Sequence, residues 1–483
     1  MQLTIFGIAV TAIGLILLLR GSVMAMLIFV LGCSLMGGSA ALFLTGLSNS
    51  SVPPTNLAMA FLAARCLLPS AGQGERLSES LRANVWLLVF ALYGAVTAWI
   101  LPRVFAGALA VTPLRPNPGK YLLAASPLQF SSQNITVSIY LISTLLAGIC
   151  AHVAMRSSPS APRTLVRAAS VVSATHALLG FASVLLAGPL GPLFSFFRNG
   201  FYAQLNQSIS GFVRMSGIFA EPSVFAAYGF VWLVFLTELW LREVETRWTA
   251  PALGLVLLAL LVSTSSTAYV GLGGYGLILV LRFVFNPSAI PARKILWIVF
   301  VFGAGLAGIL FAAAARPEMF GELSRIVSLT TIDKLDSESG IQRAFWARQG
   351  YDAFVRSFGL GIGAGSFRSS SLLTAILGSV GVIGSFAFVA QLVRVFMPLR
   401  RSTYASWGET RISVGAAASW TAIIMLLPAS FSAASPDPGL LWGVICGAGL
   451  ALRRRFSADA QSEGHYNVTA MRNQSLRIAN TRA

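Results

Sequence analysis

The chain has 483 residues, 56% of them hydrophobic and 10% charged, with a mean hydropathy of +0.76. Water-soluble domains are about 45–50% apolar and about 25% charged, so this composition excludes a water-soluble fold. A formal net charge of +18 would suit a nucleic-acid partner, but basic residues also hold connections on the cytoplasmic side of a membrane, and topology accounts for most of them without nucleic acid.

Apolar runs long enough to supply the ~20 helical residues that cross a hydrocarbon core recur from Leu3 to Leu452. In chain order they predict about thirteen spans, near 3–19, 23–44, 54–69, 84–101, 135–155, 168–187, 222–241, 250–265, 267–285, 295–315, 372–396, 412–428 and 438–452. The expected fold class is an all-α polytopic membrane protein with one transmembrane domain over 1–455 and a polar tail over 456–483. The first run has no basic segment before it and no small-residue cleavage site after it, so it reads as a span rather than a signal peptide. Cys33, Cys66, Cys150 and Cys446 lie in or at the ends of apolar runs without metal-ligand spacing and are expected to pack.

Taking Arg453, Arg454 and Arg455 as cytoplasmic and alternating backward, every inside connection is basic: Arg20; Arg65, Arg76 and Arg82; Arg156, Arg163 and Arg167; Arg242 and Arg247; Arg282, Arg293 and Lys294; Arg394, Arg400, Arg401 and Arg411. The short outer loops 45–53, 264–266 and 429–437 contain no Lys or Arg. The N-terminus and two large loops, 188–221 and 316–371, then fall outside.

Three stretches depart from plain membrane helix. In Pro189–Pro222, residues Phe194, Phe197, Phe201, Leu205, Ile209 and Phe212 recur at helical spacing among Asn199, Gln204, Asn206, Gln207 and Ser208, which predicts an amphipathic helix on the outer face. Its amides match sugar hydroxyls, although covering neighbouring spans is an equal use. The five hydroxyls of Ser263-Thr264-Ser265-Ser266-Thr267 sit between two short apolar runs and fit either a tight outer turn or a cavity wall. The loop Arg316–Ser371 carries seven basic and six acidic residues. Its stretch Gln342–Phe358 predicts a helix resting on the membrane, and Gly359-x-Gly-x-Gly-x-Gly opens the next span.

Chemistry concentrates where these loops meet spans. Glu221 precedes Pro222 at a helix start, where the helix dipole favours a carboxylate. The same place suits a general base or a sugar-positioning group at the boundary of water and lipid. Arg214 and Arg343 are candidates to clamp an anionic leaving group, since guanidinium forks bind phosphate bidentately and stay charged. Arg198, Arg348 and Arg368 are candidates for supporting contacts, with ion-pair roles as the alternative.

These residues carry a resemblance. Gly217-Ile-Phe-Ala-Glu221-Pro222-Ser223 is similar to the Gly-x-x-x-Glu-Pro-Ser signature of Wzy-type O-antigen and exopolysaccharide polymerases. Arg343-Ala-Phe-Trp346 followed by Gly359-x-Gly-x-Gly363-x-Gly-Ser366-Phe-Arg368 resembles the outer-loop pattern of the same O-antigen ligase-polymerase superfamily, with Trp346 one place closer to the arginine than the pattern has it. Arg348 and Gly359 also stand at the Arg-x10-Gly spacing of some members. The resemblance implies a GT-C-like glycosyltransferase in the bacterial cytoplasmic (inner) membrane, joining undecaprenyl-pyrophosphate-linked oligosaccharide repeat units on the periplasmic face. It implies Glu221, Arg214 and Arg343 as catalytic residues and Arg198, Ser223, Arg348, Gly363, Ser366 and Arg368 as substrate contacts; with no Asp-x-Asp motif and no His or Cys cluster in either large loop, no metal or other cofactor is expected. Implied partners are the lipid-linked oligosaccharide, membrane lipid, a chain-length-regulating co-polymerase and a flippase.

An O-antigen ligase is the nearest rival, but the ligases of this superfamily carry a functional outer-loop histidine, whereas His152 and His176 fall in spans and His465 in the tail. A flippase or transporter needs polar groups along an intramembrane path, and these spans are poor in ionisable residues. The tail is too polar to form a core. Ending the chain after Arg455 is therefore expected to leave polymer formation intact in cells; loss of polymer on truncation would show that the tail binds a partner.

Overall fold

The structure is a computed structural model that describes residues 2–44, 50–69, 72–115, 123–200, 208–209, 212–286, 291, 293–294, 296–297, 338–397 and 409–452. The chain divides into Met1–Leu452 and Arg453–Ala483, and the second unit lies outside the described residues, as do the expected span 295–315 for the most part and residues 316–337 of the loop that follows it. The described part is mainly helical. Its helices are α1 (Ile5–Arg20), α2 (Val23–Cys33), α3 (Pro54–Leu67), α4 (Gln73–Ala83), α5 (Val85–Val104), α6 (Ser132–Arg156), α7 (Ala161–Leu185), α8 (Ala187–Phe197), α9 (Pro222–Leu241), α10 (Thr246–Val262), α11 (Ser266–Phe285), α12 (Glu338–Arg356), α13 (Leu372–Phe396), α14 (Thr410–Ile424), α15 (Leu426–Ala429) and α16 (Leu440–Leu452).

Seven helical stretches among the described residues are long and apolar enough to cross a membrane: α5, α6, α7, α9, α11, α13 and α14 continued by α15. Four more apolar helices, α1, α2, α10 and α16, are shorter. A multi-pass membrane protein follows from this, with fewer full-length spans among the described residues than the thirteen expected.

Two sequence expectations are corrected. The run 23–44 is not one span: α2 ends at Cys33, and Leu42–Leu44 forms the middle strand of a three-stranded antiparallel sheet with Gln2–Leu3 and Ser50–Val52. The reason is close backbone approach at Gly37 and Gly38. A Cβ at Gly38 would stand 2.5 Å from the Ile218 carbonyl oxygen, to which the Gly38 amide donates at 2.8 Å, and a Cβ at Gly37 would stand 2.5 Å from the Phe219 ring. The chain leaves the helix to meet the Gly217–Glu221 segment. Likewise the aromatic period after Pro189 is not one amphipathic helix. Helix α8 ends at Phe197, and Ser208–Ile209 pairs antiparallel with Phe212–Val213.

Packing is tightest between α6 and α16. A Cβ at Gly443 would come within 2.3 Å of the Thr144 carbonyl oxygen, and one at Gly447 within 2.1 Å of the Gly148 carbonyl oxygen. Small residues at four-residue spacing let membrane helices touch backbone to backbone, where dispersion supplies the attraction that water supplies elsewhere. Trp442, fully buried, donates from Nε1 to the Ala422 carbonyl at 2.9 Å and ties α16 to α14.

One buried ionic cluster joins the ends of three helices on the side of the arginine-rich connections. Glu238 of α9 has no solvent exposure and accepts from Arg242 Nη1 at 2.6 Å, from Arg282 Nη1 of α11 and from the Tyr275 hydroxyl at 2.9 Å. Arg282 also lies over the Trp420 ring of α14, 4.0 Å from its centroid. Removing one partner from such a cluster leaves buried charge uncompensated, which costs about 3–5 kcal/mol. Glu238→Gln, which strands two arginines, is expected to lower the melting point in detergent further than Arg242→Gln, which leaves one Glu–Arg pair; equal or reversed losses would show that Glu238 does not hold the cluster.

Candidate functional site

Glu221 is the residue before the first turn of α9, with extended backbone (φ −144°, ψ 153°), and its side chain makes no capping hydrogen bond. Its carboxylate accepts from the Ser223 hydroxyl at 3.0 Å instead, so the group is turned away from the helix amides and stays available. Pro222 at the first position fixes the helix start, where its missing N–H leaves no donor unpaired.

The approach to Glu221 is stiffened from below. Arg198 donates from Nε to the Gly217 carbonyl at 3.0 Å and from Nη2 to the Ser216 hydroxyl at 2.8 Å, and a second contact from Nη2 also reaches the Gly217 carbonyl. Gly217 has φ +52°, a left-handed conformation natural to glycine, and its amide donates to the Ser183 hydroxyl at 3.1 Å. Beneath the segment His176 of α7 is buried and stacks on Phe225 with 4.0 Å between centroids, with Phe219 and Tyr228 at 5.3 and 5.0 Å. His176 is a packing residue, as its apolar helix suggests.

Arg214 donates from Nη2 to the carbonyl of Thr264, 3.3 Å away, in the Ser263–Thr267 turn between α10 and α11. Thr264 has φ +50°, which costs a β-branched residue steric strain. The expected hydroxyl turn is thus a wall of the site: Ser263, Ser265 and Thr267 are buried, and Ser265 Oγ has no hydrogen-bond partner among the described residues.

The other wall is α12, which forms where a membrane-resting helix is expected and extends it toward the N-terminus. The Arg343 carbonyl of α12 accepts from the Ser370 hydroxyl, fixing the helix to the entry of α13. Trp346, three residues on, is buried under the Arg368 guanidinium, which lies 4.5 Å from the ring centroid. The Trp346 indole N–H has no partner among the described residues.

Electrostatics joins the two walls. Burial holds the Arg214 guanidinium below the ordinary arginine value, the charge of Arg343 pushes the same way, and Glu221 opposes both. Burial likewise lowers Arg343, and Glu221 again opposes it. The three charges thus act on one another in a partly dry place. Both arginines remain cationic at neutral pH. The cluster therefore carries two positive charges against one negative charge, and an anion would complete it.

The remaining expected contacts separate. Ser223 belongs to the site through Glu221. Arg198, expected as a supporting phosphate or sugar contact, is engaged with Gly217 and Ser216 and positions the Glu221 segment. Arg348 is exposed, roughly 140° around α12 from Arg343 at 100° per residue. Arg368 is occupied by Trp346, and its backbone amide donates to Thr112 at 2.9 Å.

Gly363 and Ser366, expected as substrate contacts, are both buried in a loop inlaid against α5, α6 and α13. The Gly363 amide donates to the Ser379 carbonyl at 2.9 Å, and the Ser366 hydroxyl donates to the Ile362 carbonyl at 2.8 Å while accepting from Asn134 Nδ2 at 2.9 Å. Gly359, Gly361, Gly363 and Gly365 all have φ between +80° and +93°. A Cβ at Gly363 would meet the Pro102 ring at 2.7 Å, and one at Gly365 the Gln133 carbonyl oxygen at 2.5 Å. Opposite them, α13 breaks at Gly381 (φ +59°) to receive the Gly359 carbonyl. Asn134, not among the residues expected from sequence, belongs to the Ser131 capping box at the start of α6, and its Nδ2 donates to the Ala364 carbonyl at 2.8 Å from across the fold.

No family model matches the chain, and no curated protein is significantly similar to it.

Replacing Arg198 by Ala removes donors from a buried carbonyl and is expected to destabilise the protein by about 1–3 kcal/mol, whereas Arg348→Ala should stay within about 0.5 kcal/mol. Thermal denaturation of the purified variants compares them; equal melting points would mean that Arg198 does not hold the segment.

Proposed function

We propose that the protein is a membrane glycosyltransferase, a polymerase that joins polyprenyl-pyrophosphate-linked oligosaccharide repeat units into a polysaccharide on the outer face of the bacterial cytoplasmic membrane, with a GT-C-like architecture. The observation that carries this reading is the convergence of Glu221, Arg214 and Arg343, from connections more than a hundred residues apart, into one partly buried cluster with an excess positive charge. The sequence resemblance of the Glu221 and Arg343 segments supports the same reading.

The chemistry follows from the groups present. The bond between the anomeric carbon of the growing glycan and its diphosphate carrier breaks, and negative charge develops on the leaving oxygen. Arg214 and Arg343 neutralise that charge, each contributing a donor that is worth about 10²-fold or more in rate. A hydroxyl of the next repeat unit forms the new bond to the anomeric carbon, and its proton passes to the Glu221 carboxylate. Ser223 orients that carboxylate from 3.0 Å. The unpartnered Ser265 hydroxyl and Trp346 indole N–H supply hydrogen bonds of the kind sugar rings require. Guanidinium charge does the work that a divalent ion does in other glycosyl transfers, so the reading calls for no metal. A chain-length-regulating co-polymerase and a flippase would be its partners.

Glu221→Gln and Arg343→Ala are expected to reduce polymer formation by about 10²-fold or more each, with Arg348→Ala near wild type, scored by polymer length in cells and by joining of purified lipid-linked repeat units in detergent without a gradient. Full-length polymer from both variants would remove the assignment, and a protein that moves lipid-linked units across vesicles but joins none would be a carrier.

A further inference from the structure

The segment between α15 and α16, Ser430–Gly439, is not helical, yet it descends deep into the bundle. Two full-length spans set its depth, and Thr144 is the thirteenth of the 25 residues of α6. Leu141 of α6 packs where a Cβ of Gly94 would be, 2.7 Å away, and Gly94 is the tenth of the twenty residues of α5. Thr144, one turn further along α6 toward the arginine-rich side, donates to Asp437 Oδ1 at 2.7 Å. Asp437 is thus a carboxyl group near the bilayer midplane, at the end of a chain segment whose upper part, Ala434, accepts from the Ser369 amide at 3.0 Å beside the entry of α13.

Irregular backbone at that depth survives only inside protein or along a wet cavity, never against lipid. Burial inside protein does not describe this segment: of residues 430–439 Pro436 is buried, Phe431 is 59% exposed, and the others are intermediate. The wet alternative remains. The segment's chemistry fits it, because Pro436 and Pro438 remove two backbone donors while the carbonyls, the Asp437 carboxyl and the hydroxyls of Ser430, Ser432 and Ser435 all offer lone pairs. The Ser430 and Ser432 hydroxyls donate to the Leu426 and Pro428 carbonyls, so toward open space they present acceptors.

We propose that Ser430–Gly439 walls an acceptor-rich aqueous cavity that enters from the side opposite the arginine-rich connections, passes beneath the Ser369–Ser370 strap that holds Arg343, and ends at Asp437. The cavity takes uncharged hydroxyl donors, water first, and disfavours anions at its floor. It holds whether or not the protein transfers glycosyl groups.

The test is chemical accessibility. Cys33, Cys66, Cys150 and Cys446 are all buried, so Ser432→Cys and Ser435→Cys can be placed in the otherwise native chain and treated, in sealed membranes, with a membrane-impermeant maleimide from each side in turn. Both should react from the side opposite the arginine-rich connections at least about tenfold faster than Val96→Cys on the exposed apolar face of α5, because maleimide needs a hydrated thiolate. A rate no higher than that of Val96→Cys, or reaction from the arginine-rich side alone, overturns the proposal. Hydrogen exchange on the unaltered protein in nanodiscs covers the case of a variant that does not fold: the peptide 430–439 should exchange within minutes while α16 stays protected for hours, and protection of both is the contrary result.

Discussion

Inside hydrocarbon an unpaired peptide group costs several kcal/mol, so each place where this chain abandons the helix must satisfy its backbone by some other means. Four such places stand out among the described residues. Gly38 and Ala40 donate to Ile218 and Asn199; Ile362 and Gly363 of the glycine loop donate to the Gly378 and Ser379 carbonyls beside the break in α13; the Ser263–Thr267 turn gives a carbonyl to Arg214; and Ser430–Gly439 carries two prolines, which have no amide donor. The first three of these surround the segment that ends in Glu221 or the helix that bears Arg343. The irregularities tolerated at the cost of extra contacts are the ones that assemble the polar cluster.

That arrangement explains why the cluster can hold two like charges. Arg214 and Arg343 repel one another, and in a mobile loop each would swing into water. Here Arg214 is tied to a strained turn and Arg343 sits on a helix bound through its own carbonyl to Ser370. At the far ends of α9 and α11, the Glu238 cluster locks together the two helices whose opposite ends supply Glu221 and the hydroxyl turn. Positive charge is thereby held in place before any ligand arrives, which is the condition under which charge stabilisation is most effective.

Hydropathy located the long spans well, because a run such as Ser132–Arg156 or Leu372–Phe396 has no other stable state in lipid. Local chemistry also read correctly at the start of α9, where Pro222 leaves little choice, and at α12. What failed were the judgements that depend on a partner far away in sequence. Gly37 and Gly38 look like ordinary small residues of an apolar run, and nothing nearby announces that Ile218 will demand close approach. The aromatic period from Phe194 to Phe212 imitates a helix, whereas Ser208–Ile209 and Phe212–Val213 pair as strands. The glycine-rich loop opens α13, but its close approaches to Pro102 and Gln133 involve elements far earlier in the chain. Arg198 could not be distinguished from Arg214 by type or position, since both precede Glu221 in one loop, and the difference lies in which carbonyl each guanidinium reaches.

The backbone contact between α6 and α16 has a consequence for biogenesis. Gly148 and the pair Gly443 and Gly447 form the closest helix seam described here, but almost three hundred residues of chain separate its halves. Helix α6 must therefore enter the membrane and wait, its glycine face covered by lipid, while the ribosome makes everything between. Closure of the bundle is deferred to the moment the last hydrophobic stretch leaves the translocation channel, so a nascent chain cut short before Leu440 would have every other described helix and still lack the piece that seals them.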